Sequence, residues 1–386
     1  MQIILTDSYT GLVLLATLSV SILIQLLYYI VFYSKATSKR NQTKLIEDLQ
    51  EGISVVIYSN NEYRQLKENL PYYLKQQYTN FEIIVVNDGN NSDIESLMFE
   101  LSQKYDNIYY THLSDDARNL SRHKMALTLG IKASRYDNVI LSKAACRPIY
   151  RSWIHTIASA FSSKKADFLI SPTIYTKRNP HTDMYYQLDK LLLNYRMLGY
   201  GLRNKPFSYG SSNIAFRKEL FFTKKGFAKQ MHLLFGEDIL WVNQLRKDVK
   251  GAVVSNPSSV LSIVRDNYLN SWKEEKNIYA FTSRFTAKLP GFIYSLETMS
   301  RYAYYISAIS LIVLYFTNIP LLITIASIIF LRTLCVMIFW NKASLKLASS
   351  PQFTSFLVYE LIAPVVNLYF STLVIFDNKK FYTWKL

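Results

Sequence analysis

The run LVLLATLSVSILIQLLYYIVFY, residues 12–33, carries no charge, and this limits the chain more than any other feature. Wound as a helix it is long enough to cross a bilayer core of ~30 Å. It is too long for the apolar region of a signal peptide, and no small-residue cleavage site follows it. A retained transmembrane anchor is expected. Before it only Asp7 is charged, whereas SKATSKRNQTK (34–44) supplies Lys35, Lys39, Arg40 and Lys44. The positive-inside rule then puts residues 1–11 on the non-cytoplasmic side and the body of the protein in the cytoplasm, on the inner (cytoplasmic) membrane. Cys146 and Cys335 offer no disulfide framework, as suits a reducing compartment. The sequons at Asn41 and Asn119 carry no meaning on that side.

A basic linker (34–52) leads into a segment, 53–290, with the polarity of a soluble domain. ISVVIYS (53–59) and FEIIVVNDG (81–89) are β-branched apolar runs, the pattern of strands buried on both faces. Between them NNEYRQLKENLPYYLKQQ has helical period, with Leu66, Leu70 and Leu74 on one face. SDIESLMFELSQKY reads as a second helix, opening on a Ser/Asp cap signal. NIYYTHLS (107–114) and NVILS (138–142) are further strands, separated by the helix HKMALTLGIKAS (123–134). Strands alternating with helices imply an α/β fold with a mostly parallel sheet and helices on both faces. Ligands of such sheets bind where strands end, so Asn60, Asp88 and Lys143 are expected to line one crevice.

Beyond residue 290 the chain becomes apolar again. Residues 302–316 and 319–340 read as a transmembrane hairpin broken at TNIP, and 353–376 as a spanning or re-entrant segment containing Glu360 and Pro364. The net charge of +16 raises the question of nucleic acid. No nucleic-acid motif is present, and the aromatics lie in apolar runs rather than among basic residues, so no nucleic-acid partner is expected. Membrane lipids with anionic head groups, and the phosphates of a nucleotide, are the partners that fit.

Four ordered stretches resemble family 2 glycosyltransferases of the GT-A fold. SVVIYSNNEYRQLKENLPYYLKQQYTNFEIIVVNDGNNSDIE looks like the family's opening; HKMALTLGIKAS and ILSKAACRP follow in its order; YGSSNIAFRKELF (209–221) resembles its acceptor-side segment and GEDILW (236–241) its general-base motif. The resemblance covers roughly 50–290 and implies inverting transfer of a sugar from a nucleoside diphosphate sugar to a glycan or lipid-linked acceptor.

Residue by residue, it makes Asp88 and Glu62 contacts to the nucleoside, and Lys124 a basic residue near the donor. A strand-end carboxylate can accept from a nucleobase or ribose; the plain alternative for Asp88 is a turn residue. Asn213 is implied at the acceptor side, where Gly210 and two serines allow close approach. Asp238 corresponds to the base that takes the acceptor hydroxyl's proton and Glu237 to its acidic neighbour, although two acids also suit a helix N-terminus.

Two departures stand out. The family holds Mg²⁺ or Mn²⁺ with D-x-D carboxylates, but those positions are Lys143 and Ala145, and Asp137 lies at the wrong end of the strand. No metal or other cofactor is therefore expected. The family's Q-x-x-R-W grip aligns with WKEEKNIYAFTSRF (272–285), where Trp272 and Tyr279 remain acceptor-side candidates but Glu275 and Ile278 replace Gln and Arg. An arginine fork has no substitute in isoleucine. Three readings follow: a transferase in which Lys143, with Lys124, Arg122 or Arg284, replaces the metal; a non-catalytic binding subunit of a partner glycosyltransferase; or a structural protein.

Overall fold

The computed structural model describes residues 9–114, 121–176, 183–203, 206–208, 212–233, 236–283, 288–347, 349 and 353–376. The charge-free N-terminal run begins α1 (Tyr9–Tyr28), which continues through a π-helical turn (Tyr29–Tyr33) into α2 (Ser34–Thr37).

The α/β domain then runs β1 (Ile53–Ser59), α3 (Tyr63–Leu74), β2 (Phe81–Asp88), α4 (Ser92–Ser102), β3 (Ile108–Leu113), α5 (Arg122–Ala133) and β4 (Asn138–Lys143). It continues with β5 (Cys146–Pro148), α6 (Trp153–Lys164), β6 (Phe168–Ile170), β7 (Thr173–Tyr175), α7 (Asp183–Gly201), β8 (Ile214–Arg217) and α8 (Lys218–Thr223). The last elements before the C-terminal helices are α9 (Glu237–Leu245), β9 (Gly251–Val253), β10 (Leu261–Ile263) and α10 (Tyr268–Thr282).

Seven strands form one sheet in the order β3-β2-β1-β4-β8-β6-β9. β1 to β4 are parallel, as right-handed crossovers require, while β8 runs antiparallel between β4 and β6. A smaller sheet, β5-β10-β7, packs beside it. Alternate residues of β1 and β2 enter two cores: Val56, Ile84 and Val86 face one, Val55, Ile57, Ile83 and Val85 the other. Burial on both faces explains why these strands read as continuous apolar runs.

The first core holds α5 and α7 and merges with the aromatic girdle of the apolar helices, where Tyr29, Tyr33, Tyr195 and Trp340 meet. The close fit of α5 depends on Gly130. A Cβ there would lie 2.5 Å from Val56 Cγ1 and 2.8 Å from Val86 Cγ2, so the helix sits directly on β1 and β2.

Among the described residues three long helices follow: α11 (Lys288–Leu314), α12 (Ile319–Lys346) and α13 (Phe353–Phe376). Tyr9–Thr37, Ile319–Lys346 and Ser355–Leu373 are long and apolar enough to cross a membrane. Two expectations change. The helix expected from 302 starts at Lys288, because Glu297 and Arg301 are paired inside the structure: Glu297 accepts from Arg196 and Arg301 at 3.0 and 2.9 Å. Residues 353–376 form one helix that continues through Pro364, whose carbonyl accepts from Tyr302 Oη at 2.6 Å. The buried Glu360 carboxylate pairs with Arg332 of α12 at 2.5 Å, which removes the cost of a lone charge among apolar helices.

Gly130→Ala decides between two effects. Helix propensity alone favours alanine by ~1 kcal/mol, whereas overpacking against Val56 and Val86 costs ~1–3 kcal/mol. Net destabilisation is expected, read as a lower midpoint in thermal unfolding of the detergent-solubilised protein; an equal or higher midpoint would show that α5 can shift without loss.

Candidate active site

The crevice is built where β1, β2 and β4 end. Register places Ser59 opposite Asn87 and Tyr58 opposite Lys143, so the three strands deliver their last side chains at one level. Asn87 stabilises the turn after β1: its Oδ1 accepts from Asn61 N at 3.0 Å, and its Nδ2 donates to Asn61 Oδ1 at 2.8 Å. Asn61, at φ 54°, tolerates the left-handed backbone better than most residues. The turn sets Glu62, whose carboxylate pairs with Arg265, a residue that follows β10.

Asp88 is nearly buried. Its Oδ1 accepts from Arg122 Nε at 2.5 Å and its Oδ2 from Tyr58 Oη at 3.1 Å. An ionised carboxylate has about four acceptor sites, so these two bonds leave capacity for a nucleoside. Burial, with the Asp88 carboxylate adding to it, pushes the Tyr58 phenol well above its ordinary value and keeps it a hydrogen-bond donor.

The first turn of α5 is unusual. Arg122, His123 and Lys124 stand together at the end of the helix where the dipole favours negative charge, and no acidic residue accompanies them there. Each has a partner. Arg122 reaches Asp88 and, through Nη1, the Ser114 carbonyl at 3.1 Å. Lys124 is fully buried and donates to the Leu233 carbonyl. His123 Nδ1 lies 2.7 Å from Glu237 Oε1, and its ring packs on that of Tyr58 with centroids 4.0 Å apart.

Glu237 opens α9 and is 2% exposed. Burial acts to raise its carboxyl, but the opposing pull of His123, with Lys143 and Lys124 behind it, prevails and holds it well below the usual carboxylate range. Glu237 Oε2 and His123 Nε2 are both buried without a hydrogen-bond partner among the described residues. A group left so costs ~1–3 kcal/mol, which marks this spot for a ligand.

Lys143 ends β4 half-buried, followed by buried Ala144 and Ala145. Neither alanine offers a metal an oxygen ligand, and an ammonium repels a cation. Among the described residues no group of three or more His, Cys, Asp and Glu could hold a metal ion. The side chains present at these positions do not fit the divalent metal of the resemblance.

Not every expected residue faces the crevice. Lys124 ties α5 to the segment before α9. Asn213, at φ 67°, donates through Nδ2 to the Pro172 and Ser259 carbonyls, both at 2.8 Å, and accepts from Trp153 Nε1 at 3.2 Å. Trp272 is buried, donating to Asp189 Oδ2 at 2.8 Å and packing on Phe370 of α13. The amide of Asn213 and the indole of Trp272 are thus engaged in the framework rather than offered to an acceptor. The Asp238 side chain and Arg284 lie outside the described residues. His123, Tyr58 and Arg265 were not singled out from sequence; the run RHK at a helix start was the one available signal.

Tyr279 lines a cavity of about 530 Å³ among α7, α10, α11 and α13, together with Arg196, Lys276, Tyr294, Thr298 and Asn367. The same helix touches the crevice from its other side: Phe281 packs on Leu233 and Leu240, and Thr282 fills the space beside Gly236. α10 is the wall between crevice and cavity.

Residues 54–222 match the model of glycosyl transferase family 2. The match spans less than half of the chain and marks a family 2 glycosyltransferase-like segment there. Similar solved structures include the mannosyltransferase PcManGT from Pyrobaculum calidifontis, in complex with GDP-Man and Mn²⁺, at 14% identity and a TM-score of 0.55. That likeness covers 93% of this chain and 99% of the other, and supports the GT-A fold. S. aureus TarS 1–349 aligns at 14% identity and a TM-score of 0.43, over 67% of this chain and 72% of its own. In complex with UDP-GlcNAc, TarS 1–349 aligns at the same identity and score over 64% and 71%. A search of curated proteins finds no match.

The Glu237–His123 contact has a measurable consequence. The carboxyl is lower in the folded state than its unfolded value of 4.5, so its contribution to stability is complete above that pH and is lost as the pH falls towards 2. Glu237→Gln removes this contribution, and a shallower acid limb is expected when unfolding midpoints are plotted against pH from 5 down to about 2. Superimposable limbs would mean that the pair confers no stability.

Proposed function

We propose that the chain transfers a sugar from a nucleoside diphosphate sugar to a glycan or lipid-linked acceptor at a membrane surface, with fixed cations in place of a divalent metal. The observation that carries this reading is the first turn of α5, where three basic residues crowd the positive end of the helix dipole beside Lys143. Asp88 and Glu237 pair with two of the three, and the turn still sets positive groups at the helix end that favours an incoming anion. Charge developing on a leaving diphosphate is stabilised by pre-placed positive groups, whatever their source.

In this reading Asp88 and Glu62 contact the nucleoside and Lys143 clamps the diphosphate, while buried Lys124 adds to the field from behind. The acceptor hydroxyl attacks the anomeric carbon from the face opposite the departing oxygen, so configuration inverts. Its proton passes to Asp238, since Glu237 is engaged by His123. The cavity behind α10, with Tyr279 on its wall, lies among the apolar helices and suits an acceptor with a lipid portion. The basic residues after α2 suit the anionic cytoplasmic face of a membrane.

A second reading rests on Lys143, Ala145 and Ile278: the domain binds a nucleotide sugar or glycan as the non-catalytic subunit of a partner glycosyltransferase. Turnover separates the two. Membranes containing the protein, supplied with radiolabelled GDP-mannose, UDP-N-acetylglucosamine or UDP-glucose in EDTA, are expected to incorporate one label into lipid or polymer. Asp238→Asn is expected to lower that rate roughly 100-fold or more, with donor KM within about threefold. Donor binding without incorporation of any label would favour the second reading.

A further inference from the structure

The pairing of His123 with Glu237 goes beyond a simple replacement of the metal by cations. The imidazole is held on two sides. Nδ1 lies 2.7 Å from a carboxylate that is 97% buried by side chain, and the ring packs against Tyr58 at a tilt of 39°. Held this way, the ring presents its other nitrogen, Nε2, which is buried and has no hydrogen-bond partner among the described residues; the second oxygen of Glu237 is in the same condition. Two unpartnered polar atoms on one contact pair point to a ligand rather than to packing.

His123 also stands at a definite place in the crevice. Arg122 and Tyr58 join it to Asp88 on one side, and Glu237 joins it to the α9 turn on the other. Asp88, His123 and Glu237 thus follow one another along the crevice. Charged or titratable groups around the ring are Tyr58 on β1, Asp88 on β2, Lys143 on β4, Arg122 and Lys124 on α5, and Glu237 on α9.

We infer that His123 is the proton donor to the leaving nucleoside diphosphate, and that Glu237 is the positioning residue that orients its imidazole. This rests on the transferase reading above. As the acceptor oxygen bonds to the anomeric carbon, the bond from that carbon to the β-phosphate oxygen breaks and its electron pair leaves with the diphosphate. The departing oxygen takes the proton from Nε2, and the acceptor's proton goes to Asp238. Before the next turnover Nε2 takes up a proton from solvent and Asp238 releases one to it, so protons and charge balance without a metal.

The test reads the imidazole itself. The full chain in detergent, labelled with ¹⁵N-histidine, is titrated with UDP, GDP and the bare nucleosides in EDTA, with the His123 signal assigned by its loss in His123→Gln. In the presence of the diphosphate that binds, His123 is expected to be an imidazolium at pH 7.5. Its titration midpoint should rise by about one unit or more over the free protein, and a nucleoside alone should not produce the rise. In turnover, wild-type rate is expected to fall as pH rises through that midpoint. His123→Gln should abolish the limb and lower kcat roughly 100-fold. Glu237→Gln should move the limb to lower pH.

A nucleotide that binds, as heat of titration shows, while His123 stays neutral or unmoved would overturn the inference and leave the transferase reading standing. If neither diphosphate binds, that reading falls, and the inference with it.

Discussion

The contact on which the active-site geometry depends is the seating of α5 on β1 and β2 at Gly130. With no Cβ between helix and strands, the helix lies against Val56 and Val86, and its first turn comes to the level where the strands end. Everything proposed for the crevice follows from that placement. Arg122 reaches Asp88 at the end of β2, His123 meets both Tyr58 of β1 and Glu237 of α9, and Lys124 fastens the turn to the segment preceding α9. A helix held farther from the sheet would carry the same residues out of reach of all four.

A second constraint links the α/β domain to the apolar helices. Asp189 of α7 accepts from Trp272 and Lys276 of α10, both at 2.8 Å, and from Tyr359 of α13 at 3.2 Å. Three donors around one buried carboxylate satisfy most of its hydrogen-bonding capacity, which makes the charge tolerable. The node fixes α10 against both neighbours. α10 therefore stands braced between crevice and cavity. The family's arginine fork is Ile278 here, and the helix is retained as a braced wall.

Much of this was legible in the sequence, and the reasons differ by residue. β1, β2 and β4 announced themselves because both faces of the sheet are covered, so their apolar runs are unbroken. Asp88, Glu62 and Lys143 could be placed at one crevice because a parallel sheet brings its strand ends together. The fate of Asn213 and Trp272 could not be read, since a motif does not say which way a side chain turns, and both turn inward to buried partners. The start of α11 was hidden for a related reason. Glu297 and Arg301 look like a polar boundary until Arg196, far away in sequence, is seen to complete the pair. His123 was overlooked because its meaning lies in Glu237, a residue that only the fold brings to it.

The proposed function requires that the crevice bind a diphosphate with its own cations. The most direct measurement is calorimetric titration of the detergent-solubilised full chain with UDP and GDP in EDTA, beside Lys143→Ala. One nucleotide is expected to bind without metal, and Lys143→Ala to weaken it about tenfold, a loss of ~1.4 kcal/mol. Affinity that appears only with Mg²⁺, or that Lys143→Ala leaves unchanged, would contradict that requirement.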